Sequence, residues 1–358
     1  MKNMKYYLAF IAVLFCVQSY AQSDTLKASI NPDSTLVVAE NQEAELAYNN
    51  GTESFKNKKF KEAIEFFNQA ILLKPDFAKA YINRGSVRLE TKEYSEAIND
   101  FTMAIEINDS LVSAYYFRGQ AKNFLAQKDG AFEDYTLAID KGYKDAKPYY
   151  FRGVIQFERS NYKEAITDFT SCIDLDPNFA YAYNDRGSAN RKIDDLDKAI
   201  EDYTKAVKVD SKFAIAYNNL GTVLRKKEKV DEAIANYTLA IKFKPEYYIA
   251  YNNRGSAKYD KKDYEGAIND FNKALEIKKD YAYAVNNIGT IMLKQKEYKK
   301  AITEFTKAID MDNNYGLPYL NRGVAKEELR DLEGACKDWK KAEELGVKAT
   351  SNYTFSCE

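Results

Sequence analysis

Apolar residues recur along this chain of 358 residues at intervals of three and four, in runs that short polar segments separate. Such intervals place apolar side chains on one face of an α-helix. One run puts Ala80, Tyr81 and Val87 on a common face, and the next run does the same with Ala97 and Phe101. The pattern predicts an all-α chain whose helices come in pairs.

The predicted helix pairs repeat with a fixed period of 34 residues. A glycine recurs in each first helix, at Gly51, Gly85, Gly119, Gly153, Gly187, Gly221, Gly255, Gly289 and Gly323. An alanine recurs in each second helix, at Ala63, Ala97, Ala131, Ala165, Ala199, Ala233, Ala267, Ala301 and Ala335. An unbroken period of this length is typical of a solenoid, in which every unit packs on its neighbours and one core runs through the stack.

Small and aromatic residues at fixed positions explain how such units would pack. Glycine and alanine allow two helix backbones to approach closely, because a larger side chain would hold them apart. Four residues after each alanine comes an aromatic residue that would fill the space between helix pairs: Phe67, Phe101, Tyr135, Phe169, Tyr203, Tyr237, Phe271, Phe305 and Trp339. Pro75, Pro177 and Pro245 follow predicted second helices, where a proline ends the helix.

The units resemble tetratricopeptide repeats, whose signature is an aromatic residue, a glycine four positions later, and then Ala, an aromatic residue and Ala. One unit carries this signature as Tyr251, Gly255, Ala267, Phe271 and Ala274. The resemblance covers residues 44–349 as nine units. It implies a right-handed α-solenoid of helix-turn-helix repeats whose first helices line a concave groove. It also implies a protein that binds peptides or proteins and is not itself catalytic.

The residue before the repeated glycine departs from the family pattern, since it is usually Arg where Leu is typical. Units with this Arg carry an Asp sixteen residues later, whereas the units with Asn50, Leu220 and Ile288 at this position lack the Asp. The correlation predicts an ion pair between the two helices of one unit. The predicted pairs are Arg84–Asp100, Arg118–Asp134, Arg152–Asp168, Arg186–Asp202, Arg254–Asp270 and Arg322–Asp338.

Residues 1–21 have the pattern of a secretory signal peptide. Lys2 and Lys5 precede a short apolar run, and Ser19 and Ala21 supply the small residues that a signal peptidase recognises. The apolar run is too short to span a bilayer comfortably, so no membrane span is expected. The sequence therefore predicts an exported protein, either periplasmic or secreted.

Residues 22–43 lack the repeat pattern and are rich in Ser, Asn, Asp and Thr. This composition predicts a flexible linker between the signal peptide and the first repeat. Cys16 would suit a lipoprotein, but Phe15 before it is too bulky for the usual lipidation site. We therefore do not expect a lipid anchor.

Residues 350–358 continue in the phase of the repeats and look like the stub of a further first helix that caps the last unit. Cys336 occupies a position that would face this stub, and Cys357 lies within it. Since an exported chain can oxidise pairs of cysteines, we predict a Cys336–Cys357 disulfide that holds the cap in place. Cys172 stands at an alanine position of its second helix and is interpreted as a buried apolar residue rather than a reactive thiol.

Composition narrows the range of functions. The chain has 53 basic and 54 acidic residues, so it has no strongly cationic character that would attract nucleic acid. It contains no histidine, the commonest general base and a common metal ligand. No catalytic triad, phosphate-binding loop or cysteine–histidine metal motif is present in the sequence. We expect no enzymatic activity, no cofactor and no metal.

The family resemblance also indicates which residues would line the groove. In the third and fourth units they are aromatic: Tyr116, Phe117, Tyr150 and Phe151. In the later units they are mostly amides: Asn184, Asp185, Asn218, Asn219, Asn252, Asn253, Asn286, Asn287 and Asn321. The amide column is similar to the asparagine ladder in the repeat superhelix of O-linked N-acetylglucosamine transferases.

Asparagine offers both a donor and an acceptor, so an amide column would suit the backbone of an extended peptide. Removing Asn219, Asn253 and Asn287 together would then weaken peptide binding with little loss of fold. The asparagine that helps clamp a terminal carboxylate in chaperone-binding members, directly after the glycine, is missing from every unit. The resemblance therefore gives no reason to expect an acidic-tail ligand.

Two functions remain open at this point. The first is a non-catalytic scaffold that binds an extended peptide or protein partner in its concave groove. The alternative is a structural spacer in a cell-envelope complex that uses its convex face and leaves the groove empty. The sequence does not identify the partner.

Overall fold

The computed structural model describes residues 32–348 and Cys357, with side chains from residue 41 onward. Within residues 32–348 it contains eighteen α-helices and no strand, which confirms the predicted all-α architecture of consecutive helix pairs. The helices are α1 Pro32–Lys56, α2 Phe60–Leu73, α3 Ala78–Glu90, α4 Tyr94–Ile107, α5 Val112–Phe124, α6 Lys128–Asp140, α7 Ala146–Glu158, α8 Tyr162–Leu175, α9 Ala180–Lys192, α10 Leu196–Val209, α11 Ala214–Lys226, α12 Val230–Phe243, α13 Tyr248–Asp260, α14 Tyr264–Ile277, α15 Ala282–Lys294, α16 Tyr298–Met311, α17 Gly316–Glu328 and α18 Leu332–Glu344. Odd-numbered helices are the first helices of the nine repeats, and even-numbered helices are the second.

The chain divides into two compact units, residues 1–84 and 85–358. In the described part of the first unit, Tyr48 of α1 packs against Phe67 and Phe77, with ring centroids 5.9 and 4.9 Å away. Asn83 Nδ2 donates to the Tyr48 hydroxyl over 3.0 Å. An aromatic cluster and a partly buried hydrogen bond therefore help to hold this unit together.

Helix α1 begins at Pro32, inside the segment 22–43 that was predicted as a flexible linker. A proline near the start of a helix is favourable, because its missing N–H would have no partner there and its φ is already helical. The linker prediction is therefore wrong for residues 32–43. The predicted signal peptide and residues 22–31 lie outside the described residues, as does the predicted cap 350–358 except for Cys357.

In the second unit, the repeated glycine lets the aromatic residue of the second helix pack against the first helix of the same repeat. A Cβ atom on Gly255 would lie 2.7 Å from Cε1 of Phe271, which is closer than side-chain carbons approach each other. Phe271 is 1% exposed and Ala267, one turn before it, is fully buried. The glycine–aromatic contact explains why both positions recur in every repeat.

A turn joins the two helices of each repeat, and it contains no glycine or proline that would mark it in the sequence. Ser160 has a φ of 65° between α7 and α8. Its N–H donates to Phe157 O over 3.0 Å, and the N–H of Asn161 donates to Gln156 O over 2.9 Å. This is the Schellman arrangement, which satisfies the last carbonyls of a helix as the chain reverses. The other turns have the same left-handed residue at Lys58, Lys92, Ala126, Asp194, Glu228, Lys262, Lys296 and Arg330.

Within the second unit, first helices of successive repeats contact each other directly, from α7 and α9 through to α15 and α17. Second helices have at most marginal contact with one another. First helices therefore lie on the inner side of the stack. Their shared surface in repeats five to nine is called the inner face below.

Candidate partner-binding face

Each first helix of repeats five to nine presents one stripe of side chains to the inner face. In α11 the stripe consists of Ile215, Asn218, Asn219 and Thr222, which are spaced three, four and seven residues from the first. These spacings bring side chains onto one face of a helix. The same positions recur in α9, α13, α15 and α17, so the inner face repeats along the stack.

The asparagines of the inner face bond to one another between repeats. The amide nitrogen of the second asparagine in one repeat donates to the oxygen of the first asparagine in the preceding repeat. The Nδ2···Oδ1 distances are 3.0 Å for Asn219–Asn184, 2.9 Å for Asn253–Asn218, 3.0 Å for Asn287–Asn252 and 3.1 Å for Asn321–Asn286. These four bonds form an amide ladder. Each bond joins two neighbouring first helices and contributes a net stabilisation of about 1 kcal/mol.

The amide ladder corrects the expectation of an amide column open to a ligand. Asn184, Asn218, Asn252 and Asn286 are only 4–8% exposed, because their oxygens are covered by the next repeat. Removing Asn219, Asn253 and Asn287 would leave three of these buried oxygens without their donors. We therefore expect this change to lower the stability of the fold as well as any peptide binding.

The aromatic residues predicted for the groove are also largely engaged with the protein itself. Tyr116 is 3% exposed and its ring lies 5.2 Å from that of Phe117 and 5.4 Å from that of Tyr143. Tyr150 packs against Phe151 at 5.3 Å, with both rings half-buried. Burial raises the pKa of the Tyr116 hydroxyl and of the Tyr150 hydroxyl well above the ordinary value. These side chains strengthen the packing between repeats and leave little ring area for a ligand.

At repeats four and five a tyrosine and an aspartate take the place of two asparagines in the ladder. The Tyr150 hydroxyl donates to Asp185 Oδ2 over 2.9 Å, and Asn184 Nδ2 donates to Asp185 Oδ1 over 2.9 Å. Burial of the carboxyl raises the pKa of Asp185 from 3.8 to about 6, against the opposing effect of these two hydrogen bonds. Asp185 is therefore an acidic group on the inner face with a pKa of about 6.

Five of the six predicted arginine–aspartate pairs lie within the second unit, and their side chains meet there. The Nη2···Oδ1 distances are 2.7 Å for Arg118–Asp134, 2.6 Å for Arg152–Asp168, and 2.7 Å for Arg186–Asp202, Arg254–Asp270 and Arg322–Asp338. In each pair Nε also donates to the carboxylate, so the contact is bidentate. Arg84 belongs to the first unit and Asp100 to the second, so that pair stays a prediction.

The arginine has two further contacts that the sequence correlation did not reveal. Nη1 of Arg254 donates to Thr238 Oγ1 of the preceding repeat over 3.1 Å, so the ion pair also joins neighbouring repeats. The guanidinium carbon lies 5.7 Å from the ring centre of Tyr251, three residues earlier. A cation over an aromatic face is attracted to it.

The paired aspartates are almost completely buried, and most have a second partner four residues after the arginine. Lys122, Lys258 and Lys326 lie 2.8, 2.9 and 2.8 Å from the carboxylates of their repeats, and Asn190 donates to Asp202 over 2.9 Å. This partner was missed, although the sequence contains a signal for it. Repeats six and eight lack the arginine, and there the same position is apolar, as Leu224 and Met292.

Burial raises the pKa of Asp168, and it raises the pKa of Asp202 as well, in both cases against the lowering effect of the paired arginine. Asp168 has no lysine in the position of Lys258, because Gln156 stands there. Asp202 has the neutral Asn190 instead. Desolvation is therefore the dominant effect where the second partner carries no charge.

Two sets of inner-face residues were not named from the sequence, although they lie at positions that the family resemblance assigns to the groove. The first set is the apolar residue that begins each stripe, and we call it the apolar row: Tyr181, Ile215, Ile249, Tyr283 and Leu317. Tyr181, Tyr283 and Leu317 are 36%, 50% and 44% exposed. The second set consists of Arg191 and Arg225, which lie one repeat apart near the carboxyl-terminal ends of α9 and α11. The 34-residue spacing of both sets was present in the sequence.

Cys336 and Cys357 lie with their sulfur atoms 2.04 Å apart and their Cα atoms 5.6 Å apart. Cys336 packs with Tyr319, Leu320 and Trp339 at the end of the last repeat. Cys172 is a free, fully buried cysteine, and burial raises the pKa of its thiol to about 12. A thiol of this kind is unreactive at neutral pH.

Among the residues that the structure describes, no group of three or more acidic or cysteine side chains is arranged to hold a metal ion. The helices of residues 32–348 include none that combines the length and the apolar character required to cross a bilayer.

Family models match most of the repeat region. A TPR repeat model matches residues 187–227, 221–261 and 255–296. Two tetratricopeptide repeat models match residues 48–110 and residues 146–179 and 282–315. A comparison with curated protein sequences finds no match.

Several solved structures are similar in fold. The APC/C hetero-tetramer Cut9–Hcn1 aligns with a TM-score of 0.56 and 15% identity, over 87% of this chain and 76% of that chain. The Pseudomonas aeruginosa protein pilF aligns with a TM-score of 0.51 and 19% identity, over 60% of this chain and 97% of that chain. YrrB, described as a TPR protein with an unusual peptide-binding site, aligns with a TM-score of 0.47 and 23% identity, over 51% and 95%. The first two support a shared fold.

Proposed function

This chain belongs to the tetratricopeptide repeat family, and on that basis we propose that it is a non-catalytic scaffold that binds an extended segment of a partner protein along its inner face. Proteins of this family bind protein partners and typically have no catalytic activity. The proposal adds the place of binding and the form of the ligand.

The observation that carries the proposal is the apolar row. Five consecutive first helices each present one apolar side chain at the same position, and the three measured exposures reach 36–50%. A row of exposed apolar side chains is costly in water and gains stability when a partner covers it. Tyr181 lies 4.8 Å from Phe213, and Tyr283 lies 4.5 Å from Tyr315, so the rings are held in place before a ligand arrives. Rigid aromatic surface loses little entropy on binding.

The amide ladder leaves some hydrogen-bonding groups for a peptide backbone. Oδ1 of Asn218 and Oδ1 of Asn252 each accept a ladder bond, and among the described residues no hydrogen bond is donated by the Nδ2 of either. Oδ1 of Asn219 and Oδ1 of Asn253 likewise accept no bond. An extended peptide offers donors and acceptors in alternation, so it can use these groups beside the apolar row.

The test begins with selection of peptides from a library of random dodecapeptides on the purified protein. Selected peptides are then measured against the Tyr181→Ser/Tyr283→Ser variant, in which both rings are removed from exposed positions. We expect at least a tenfold loss of affinity, because the aromatic anchors of an interface carry much of its binding energy. Failure to select any peptide, or equal affinity for the variant, would contradict the proposal.

A second candidate function uses another surface. Leu175, Val209, Ile277 and Met311 stand at the carboxyl ends of second helices, one repeat or two apart, and are 37–51% exposed. This row favours a spacer that contacts an assembly partner away from the inner face. The Leu175→Ser/Met311→Ser variant is the matched control, since it removes two exposed apolar side chains from that row. Loss of binding in this variant alone would favour the spacer.

We further propose that the chain is exported by residues 1–21 and acts in the periplasm or outside the cell. Support comes from the basic start, the apolar run and the small residues before Gln22. Amino-terminal sequencing of the protein from fractionated cells should give Gln22 as the first residue. Export would be contradicted if the protein were recovered from the cytoplasm alone, with Met1 as its first residue.

A further inference from the structure

Arg225, at the end of α11, is satisfied by a carboxylate from the next repeat. Its Nε donates to Asp260 Oδ2 over 2.6 Å, and its Nη2 donates to Asp260 Oδ1 over 3.1 Å. Asp260 is the last residue of α13 and follows Arg225 by 35 residues. The same spacing separates the bonded asparagines of the amide ladder, so it places two side chains of neighbouring first helices side by side.

Arg191 occupies the position of Arg225 one repeat earlier, but it has no such partner. The residue 35 positions after Arg191 is Lys226, which carries the same charge. Lys226 is itself paired with Asp194 over 2.5 Å. Nε of Arg191 is buried and has no hydrogen-bond partner among the described residues. A buried charged donor without an acceptor is unfavourable.

Two other carboxyl groups of repeat five already have hydrogen-bond partners. Asp185 of the same helix accepts from Tyr150 and Asn184. Asp202 is held by Arg186 and Asn190. Arg191 makes a side-chain hydrogen bond with the Tyr203 hydroxyl, whose pKa is raised by burial and lowered in part by the arginine charge and by this bond. These residues supply a hydroxyl but no carboxylate to Arg191, and its Nε is left without an acceptor among the described residues.

We propose that Arg191 binds a carboxylate of the bound partner segment, either its carboxyl terminus or an Asp or Glu side chain. The proposal rests on the function proposed above and specifies the chemistry of the ligand. The partner's carboxylate would supply to Arg191 what Asp260 supplies to Arg225. A guanidinium donates two parallel hydrogen bonds to a carboxylate, and this arrangement fixes the orientation of the carboxylate as well as its position.

This site differs from the carboxylate clamp of the chaperone-binding members. That clamp needs an asparagine directly after the repeated glycine, where repeat five has Ser188. Ser188 is bonded to Asn184 O and to the Tyr203 hydroxyl. Arg191 lies one turn further along α9, beyond the amide ladder. A partner that reaches Arg191 would extend across the helix from the apolar row.

The experiment uses the selected dodecapeptides in three forms, with all carboxyls free, with the carboxyl terminus amidated, and with every Asp or Glu replaced by its amide. We expect one of the two neutralised forms to bind the unchanged protein about tenfold more weakly, and this form identifies the source of the carboxylate. With Arg191→Gln, all three forms should bind within twofold of each other. Equal discrimination by the unchanged protein and by Arg191→Gln would overturn the proposal. So would equal binding of the three forms by the unchanged protein.

Two further variants serve as controls. Arg225→Gln removes the matching arginine that already has a carboxylate, and it should leave the discrimination between peptide forms unchanged. Lys226→Asp places an internal carboxylate beside Arg191. It should reduce affinity for the carboxylate-bearing peptide about tenfold. Unreduced affinity in a folded Lys226→Asp protein would also overturn the proposal, whereas failure to select any peptide contradicts the proposed function instead.

Discussion

Asn253 Nδ2 donates to Asn218 Oδ1 over 2.9 Å, and this bond joins the first helices of repeats six and seven. Asn218 is 5% exposed, so its oxygen depends on this donor. Asn253 is half-buried, and its own oxygen accepts no hydrogen bond from the described residues. One residue therefore has a structural role through its nitrogen and a candidate binding role through its oxygen. A variant at this position affects stability and binding together.

The first prediction concerns this bond. Asn253→Ala should lower the free energy of unfolding by about 1–2 kcal/mol, because it leaves a buried acceptor unsatisfied. Urea unfolding followed by circular dichroism measures the change. The double variant Asn218→Ala/Asn253→Ala removes both partners and should lose less than the sum of the two single variants. Additive losses would mean that the bond contributes nothing in solution.

The second prediction concerns the buried ion pair of repeat seven. Arg254→Leu should lower the free energy of unfolding by about 2–3 kcal/mol, because Asp270 is then left with Lys258 alone. Repeat six supplies the control, since it has Leu220, Leu224 and Asn236 at the corresponding positions. The triple variant Arg254→Leu/Lys258→Leu/Asp270→Asn copies that set and should regain most of the loss. A triple variant as unstable as the single one would contradict this account.

The third prediction concerns pH. Asp185 has a pKa of about 6 in the folded chain and an ordinary value of 3.8, so the folded chain holds this proton more tightly than the unfolded chain does. The resulting stabilisation is complete below pH 3.8 and is lost as pH rises through 6. Asp185→Asn should remove this pH dependence. Between pH 4 and pH 7.5, the unchanged chain should lose about 1–2 kcal/mol more of its unfolding free energy than the variant does.

Urea unfolding at intervals between pH 4 and 7.5 tests the third prediction. Asparagine is the natural choice because the other repeats have it at this position, as Asn219 and Asn253. Its amide can donate to the Tyr150 hydroxyl in place of accepting from it. Parallel curves for the two proteins across this range would show that Asp185 does not titrate as described.

The fourth prediction concerns Cys336 and Cys357. In protein isolated from an oxidising compartment and unfolded in urea, iodoacetamide should label Cys172 but neither of these two until a reductant is added. A crosslink that spans 21 residues should contribute about 2–3 kcal/mol. Reduction should therefore lower the unfolding midpoint. Peptide mass spectrometry locates the label, and labelling of Cys336 without reductant would contradict the disulfide.

The repeat period predicted the helices because Gly255 and Phe271, and their equivalents, depend on contacts within one unit. The arginine–aspartate pairs were predictable for a related reason, since repeats with Leu220 or Ile288 supplied an internal comparison. The repeat period therefore predicts the contacts that each unit makes between its own two helices.

The inner face was harder to predict. Asn218 and Asn253 are each typical of a binding surface, and only the distance between helices decides that they bond to one another. Likewise, the turn residue Ser160 has no glycine or proline character to mark its left-handed conformation. Arg191 lies at a position that the family resemblance assigns to the groove, but it was not singled out, because its lack of a carboxylate is evident only when it is compared with Arg225 and Asp260 in space.

The most direct test of the central claim is photocrosslinking of a selected peptide to a photoreactive residue placed on the protein. Ile249, in the middle of the apolar row, is one position, and Leu175, which is 51% exposed on a second helix, is the control. The account predicts that the peptide crosslinks to position 249 in proportion to the fraction of protein that has peptide bound. It also predicts no crosslink to position 175. Crosslinking at position 175 with none at position 249 would contradict binding along the inner face.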